Sequence, residues 1–425
     1  MRRIGTFLAL PVAAGAVAGV LASAFPWLIA QLGELLSAVT RWAPGAWGVI
    51  LSAVLAGLVY GPLLQRFAPG VRGQGITQVM RAVDDSDGRM PLGTTAVMVS
   101  ASAVCIAGGG SVGRIGPVVH LAGAFGSLLG RLAALPGPRL STLVAASAAA
   151  GFAAILDVPV SAPFFAIELI LRRFSLGCFT SAAIAAAVAD LVADHLAPNI
   201  PLVPAPPSRP ETAGVLAPAL IGLAVGAAGC LFVHVFFRVR RLCEWVWRGP
   251  SWLRPACGGL LLGGLVAALP QLHGVGASAV HEALRGQYPL VLLALLLAGK
   301  IVATSLTLGA GGCGGLFGPI LFIGAIGGTL LATALARPED VWLYGLLGMA
   351  AAMAAAARIP VTAIVVVLEL TAMPALVVPL AVTVLAATLT ARLLTRTGIF
   401  THDLPHPAPE GPKPGGAPHP HPPVR

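Results

Sequence analysis

Gly-Ser-Val-Gly-Arg-Ile-Gly-Pro-Val-Val-His, residues 110–120, is the stretch on which the fold turns. It returns in altered form as Gly-Gly-Leu-Phe-Gly-Pro-Ile-Leu-Phe, residues 314–322. Both copies place glycines and then Gly-Pro at the head of an apolar run of helical length. Proline is tolerated just inside a helix start, where its missing N–H would have had no partner. Glycine lets another group approach the backbone closely. The unpaired amides and the positive end of the helix dipole together form an anion site. Two such starts in corresponding halves of a membrane protein point to an anion site near the bilayer midplane.

The recurrence extends beyond the motif. Gly116-Pro117 meets Gly318-Pro319 at an offset of 202 residues, and Gly126, Ser127, Leu128 and Leu129 meet Gly328, Thr329, Leu330 and Leu331. Downstream, Val158-Pro159-Val160 with Glu168-Leu169 matches Ile359-Pro360-Val361 with Glu369-Leu370, offset by 201. Two separate segments at nearly one offset indicate duplication. Register alone leaves open whether the halves are parallel or inverted.

Composition sets the solvent. The chain is 57% hydrophobic and 10% charged, with a mean hydropathy of +0.90. Soluble domains carry about 25% charged residues, so this chain is solvated by lipid. Apolar runs recur at 4–31, 46–64, 92–108, 116–135, 142–156, 177–193, 213–237, 255–271, 288–299, 318–336, 341–357 and 374–391. Several are shorter than the ~20 residues that cross a bilayer. Short or broken helices persist at membrane depth only when buried in protein or lining a cavity. An all-α polytopic transporter or channel is therefore expected.

Domain boundaries follow from composition: a first membrane repeat over 1–196, a proline-rich linker over 197–212, a second repeat over 213–404, and a disordered Pro/Gly/His tail over 405–425. Met1 and two arginines precede the first apolar run, which reads as a first membrane helix rather than a leader peptide. Arg2 and Arg3 favour a cytoplasmic N-terminus; an integral protein of the cytoplasmic membrane with both termini in the cytoplasm is expected. The net charge of +10 is read as positive-inside topology and attraction to anionic lipid. It does not indicate nucleic acid, because no basic helix, aromatic platform or finger spacing accompanies it. The six cysteines are scattered without a C-x-x-C pair. No metal site or cofactor is expected.

These motifs resemble the CLC family of chloride channels and chloride/proton antiporters. Four signature regions stand in the family's order: Gly73-Gln74-Gly75-Ile76-Thr77, Gly113-Arg114-Ile115-Gly116-Pro117, Gly315-Leu316-Phe317-Gly318-Pro319 and Gly398-Ile399-Phe400-Thr401. The resemblance covers roughly residues 4–404. It implies two inverted helical repeats, short broken helices meeting at the midplane, and a homodimer with one anion pathway per subunit. Carried over by position, the amides of Leu316 and Phe317 and those around Ile115 and Gly116 face the anion. Gln74 and Phe400 fall where the family places two hydroxyl ligands.

The departures bear on mechanism. At the position of Ile115 the family has a glutamate that plugs the pathway and carries the coupled proton, and isoleucine can do neither. A second proton-handling glutamate aligns with Leu169. Glu168 beside it matches Glu369 of the other repeat and reads as a structural partner near a helix end. Phe400 has no hydroxyl, although Gln74 can still donate N–H. The expected function is passive transport of chloride or a related anion, uncoupled from protons. The alternatives are exchange through unorthodox carriers (His120, Glu168 or Asp157), a nearly occluded pore pinched by Ile115 and Phe400, and, last, a membrane enzyme.

Overall fold

The computed structural model describes residues 2–69, 75–197, 203 and 214–404. These residues form sixteen α-helices and one isolated β-bridge. The first eight are α1 (Arg2–Thr40), α2 (Ala46–Phe67), α3 (Gly75–Asp85), α4 (Leu92–Ala107), α5 (Ile115–Leu132), α6 (Gly137–Leu156), α7 (Ala162–Phe165), which continues as a widened turn to Ile170, and α8 (Leu176–Leu196). The second eight are α9 (Leu216–Val246), α10 (Arg254–Ala268), α11 (Ala277–Leu284), α12 (Leu290–Gly309), α13 (Phe317–Ala334), α14 (Val341–Ala352), α15 (Pro360–Thr371) and α16 (Val377–Leu394). Ten helical stretches are long and apolar enough to cross a membrane. Helices such as α3, α11 and α15 are too short to span.

The duplication read from sequence runs through the backbone in detail. α5 and α13 are both 18 residues long and begin 202 residues apart. Gly109 and Gly311 share positive φ values of 102° and 97°, and Ala134 and Ala336 share 51° and 54°. Packing repeats too: α5 lies on α6 as α13 lies on α14, and α1 on α8 as α9 on α16. Across the middle, α2 packs on its own counterpart α10. Gly57 and Gly61 of α2 abut the backbones of Ala256 and Trp252, and their equivalents Gly259 and Gly263 abut Ala53 and Ile50. With no driving force from water inside lipid, helices associate where small residues let backbones approach.

The axis relating the halves passes between Gly113 and Gly315. Each donates its amide to the other's carbonyl at 2.7 Å in an antiparallel bridge. A residue pairs reciprocally with its own repeat counterpart only across a local two-fold. α5 and α13 begin beside this bridge, one on each side. Gly116 and Gly315 touch so closely that an added Cβ on Gly116 would sit 2.7 Å from the Cα of Gly315. The halves are therefore inverted.

Two helices run on past the ends of their apolar stretches. The run 288–299 stops before Lys300, yet α12 continues to Gly309 with Lys300 wholly buried. The run 213–237 stops before Arg238, yet α9 continues to Val246. Charge ends a hydrophobic run but does not end a helix when backbone or carboxylate groups receive it. The tail 405–425, Gln74, and the linker apart from Ala197 and Val203 lie outside the described residues.

Candidate functional site

The two signature motifs fold into two helix starts that face each other across the Gly113–Gly315 bridge. Arg114 and Leu316 occupy the N-cap positions of α5 and α13, and neither helix receives a side-chain cap. The amides of Ile115, Gly116, Leu316 and Phe317 donate to no acceptor among the described residues. Pro117 and Pro319 follow within the first turn and have no amide to offer. A helix end buried in this way needs a partner for its donors, and an anion suits both the donors and the dipoles.

The side chains that follow the two N-caps, Ile115 and Phe317, are apolar. Ile115 is 3% exposed and Phe400 2%. The ring of Phe317 turns into a buried aromatic cluster, edge-on to Phe152 at 5.0 Å, and Phe152 stacks on Phe165 at 4.2 Å. Leu169 is buried. Phe400 is held from three directions. The amide of Ile399 donates to the carbonyl of Ala356 at 2.8 Å. Arg240 pairs with Asp403 at 2.6 Å, and Arg81 donates to the Asp403 carbonyl at 3.0 Å. His402 stacks on Phe237. Burial pushes the Asp403 carboxyl up, but the hydrogen bond and charge of Arg240, with help from His402, hold it below the usual aspartate value.

A cavity of about 1090 Å³ opens onto Ile115. Arg114, Ile115, Gln271, His273, Gly318 and Phe322 line it, together with α1 residues between Ala22 and Gly33. The Arg114 guanidinium makes no hydrogen bond or ion pair with a described residue, while its carbonyl accepts from the Val118 amide at 3.3 Å. Lys300 lies behind the wall, with Nζ donating to the carbonyls of Gly274 (2.6 Å) and Leu272 (3.3 Å) beneath the ring of Phe322. Asp157 and Glu369 also line the cavity. The carboxylate oxygens of Asp157, Asp190 and Asp194 lie within 4.8 Å of one another. No spacing in the sequence announced this cluster, because α6 and α8 bring it together.

The candidate carboxylate and imidazole separate in role. Glu168 accepts from the amides of Val361 (3.0 Å) and Thr362 (2.8 Å) and from the Thr362 hydroxyl (2.6 Å), capping α15. Glu369 accepts from the amides of Val160 (2.5 Å) and Ser161 (2.8 Å), at the start of α7. His120 is buried in the second turn of α5, between Gly75 and Thr95. Gln74 lies outside the described residues.

Comparison with known proteins agrees with this architecture. A family model described as voltage gated chloride channel matches residues 56–392. A ClcB-like protein of Ralstonia nicotianae is 32% identical over 81% of this chain and 82% of its own length. The H+/Cl− exchange transporter ClcA of Yersinia pestis bv. Antiqua is 29% identical over 84% of this chain and 78% of its own. Among solved structures, a slow cyanobacterial Cl−/H+ antiporter superposes with a TM-score of 0.83 at 21% identity, covering 93% of this chain and 96% of the other. A CLC-type fluoride/proton antiporter gives 0.81 at 24% identity, covering 93% and 97%. These two likenesses concern the fold.

Proposed function

We propose that this chain, which belongs to the voltage-gated chloride channel (CLC) family, moves chloride or a related anion passively through each subunit without stoichiometric proton exchange. One contrast carries the reading. The helix starts keep their unpaired amides at Ile115, Gly116, Leu316 and Phe317, while no carboxylate stands at Ile115 or Leu169 and Glu168 is held by the start of α15. An anion gains roughly 0.3–2 kcal/mol from each helix dipole, and nothing charged at Ile115 competes for that place. Gly113, Arg114, Pro117, Gly315, Gly318 and Pro319 shape the starts; Ile115 and Phe400 narrow the path on either side. A homodimer in the cytoplasmic membrane, with both termini in the cytoplasm, belongs to the same proposal.

The test is purified protein in chloride-loaded liposomes, with a potassium ionophore and no protonophore, recording chloride efflux and external pH together. Chloride efflux without opposed proton movement is expected. Proton uptake in fixed ratio to chloride would overturn the reading. A second reading, exchange through an unorthodox carrier, is favoured by the buried Nδ1 of His120, which meets no partner among the described residues, and by relatives named as exchangers. The same recording separates the two.

A further inference from the structure

Gly274-Val275-Gly276-Ala277-Ser278 repeats Gly73-Gln74-Gly75-Ile76-Thr77 at an offset of 201. The contacts at the end of each segment repeat with it. Gly75 begins α3, and an added Cβ there would lie 3.0 Å from the Cβ of His120 in α5. Gly276 is the N-cap of α11, and an added Cβ there would lie 2.6 Å from the ring of Phe322 in α13. His120 and Phe322 are 202 residues apart. The two-fold that relates the helix starts therefore relates Gly75 and Gly276 as well, and it brings the 274–276 loop to the start of α13.

Val275 is the side chain that this loop delivers. An added Cβ on Gly318, in the first turn of α13, would lie 3.0 Å and 3.4 Å from the two Val275 methyls and 3.5 Å from the Cα of Gly113. The isopropyl group thus packs where the bridge meets the helix start, one residue past the unpaired amide of Phe317. Val275 is only partly buried, and with Ile115 and Gly318 it lines the cavity. The loop is fixed in two ways. Gly274 and Gly276 take left-handed φ values of 54° and 75°. The wholly buried Lys300 donates from Nζ to the carbonyls of Gly274 (2.6 Å) and Leu272 (3.3 Å). The equivalent of Lys300 in the first repeat is Met98, equally buried. Packing at this place in the fold needs no charge, so the ammonium is left to hold the loop.

We propose that Val275 is a specificity-determining residue of the anion path and that Lys300 is the residue that positions it. The inference rests on the passive anion path proposed above. Where the cavity reaches the start of α13, an anion passes the Val275 methyls, which offer nothing in exchange for the water it sheds. Shedding water costs most for the anion that holds it most tightly, and an apolar constriction turns that cost into a barrier. The favoured substrate class is a weakly hydrated monovalent anion. Nitrate should pass faster than chloride, and chloride faster than fluoride.

The experiment uses full-length protein in liposomes loaded in turn with chloride, nitrate or fluoride at neutral pH, and compares initial efflux rates. The wild type should release nitrate faster than fluoride. Val275→Thr keeps the shape and adds a hydroxyl that can donate to the anion. It should lower the nitrate-to-fluoride ratio at least about threefold, the scale of one net hydrogen bond. Lys300→Met copies the first repeat and frees the loop, so it should shift the ratio the same way, while Lys300→Arg should keep the wild-type ratio. Partial loss of fold scales all three rates together and leaves the ratio unmoved. An unchanged ratio in Val275→Thr would overturn the inference. So would an unchanged ratio in Val275→Ala, which widens the opening, should the threonine variant fail to fold. An unchanged ratio in Lys300→Met, or a shifted one in Lys300→Arg, would overturn the positioning role. Absence of efflux of all three anions from the wild type would overturn the anion path itself and this inference with it. Efflux with a ratio indifferent to Val275 overturns this inference alone.

Discussion

Asp157 and Arg358 stand 201 residues apart and share one left-handed backbone conformation, with φ of 61° and 63°. Each follows the last turn of a long buried helix, and each precedes the Pro-led short helix of its repeat. The backbone is equivalent, but the side chains are not. Arg358 donates to the carbonyls of Ala391 (2.8 Å) and Thr395 (2.7 Å) and to the Thr395 hydroxyl (2.8 Å). Asp157 faces the cavity beside two other aspartates. Left-handed geometry favours glycine by relieving about 1 kcal/mol of strain. Asp157→Gly is therefore expected to leave thermal stability unchanged or raised. Arg358→Gly should lower it by about 1.5–3 kcal/mol through lost charged hydrogen bonds. Equal effects at both positions, read by thermal unfolding, would mean that backbone strain dominates and the arginine contacts contribute little.

Glu168 and Glu369 hold each other's half of the molecule: each caps the short helix of the opposite repeat. Glutamine keeps one acceptor oxygen and loses the other along with the charge. Glu168→Gln should therefore lower stability by about 1–2 kcal/mol and leave anion flux per folded molecule unchanged. Thermal unfolding and liposome efflux measure the two separately. A folded Glu168→Gln with abolished flux would assign Glu168 to transport.

Legibility follows the same division. The Gly-Pro starts and the Pro-to-Glu spacing lie on contiguous sequence, so the duplication and the unpaired amides of the two helix starts could be read from residues. The inversion could not, since it resides in a hydrogen bond between Gly113 and Gly315 at 202 residues' separation. Glu168 was readable as structural only because Glu369 repeats it. Lys300 was unreadable because its charge is satisfied by carbonyls of a distant loop. The Asp157, Asp190 and Asp194 cluster depends on how α6 and α8 pack. Phe400 could be placed by motif, whereas its tether through Asp403 to Arg240 depends on the path of the chain after α16.

Ile115→Glu tests the site from the opposite direction. Ile115 lines the cavity at the start of α5, where a carboxylate would be drawn to the unpaired amides and the helix dipole. The new anion should occupy the path at neutral pH and leave it when protonated. Flux at pH 7 should fall at least about tenfold and recover in acid, where protonation removes the charge. The readout is liposome efflux between pH 7 and pH 4. Unaltered flux at every pH would place Ile115 outside the path.

Gly116 and Gly315 leave no room for a side chain. A Cβ on Gly315 would lie 2.6 Å from the amide nitrogen of Gly116, and one on Gly116 would lie 2.7 Å from the Cα of Gly315. Neither neighbour is a flexible side chain that could move aside. Alanine at either position should cost about 1–3 kcal/mol through overpacking and should displace the unpaired amides of the helix starts. Gly33, inside α1, meets nothing within 4 Å, so Gly33→Ala is the matched control for packing and should raise stability by about 0.5–1 kcal/mol. If all three variants unfold and transport alike, the close approach at the bridge is dispensable.

The Arg240–Asp403 pair predicts a specific pH window. The folded-state value of Asp403 is lowered relative to the unfolded aspartate, whose ordinary value is about 3.9. A lowered carboxyl contributes stability that is fully present above the unfolded value and disappears as pH falls through the folded one. Arg240→Gln removes the partner and should lower stability by about 1 kcal/mol near pH 6, the scale of a partly exposed pair. The gap between wild type and variant should then close as pH is taken below about 4. Since Asp403 follows Phe400 by three residues, the loosened segment should also raise anion flux at pH 6. Thermal unfolding of both proteins at steps between pH 6 and pH 3 measures the gap. A gap that stays constant through that range would mean that Arg240 stabilises the fold through its packed stem or its Glu244 contact rather than through the Asp403 carboxylate.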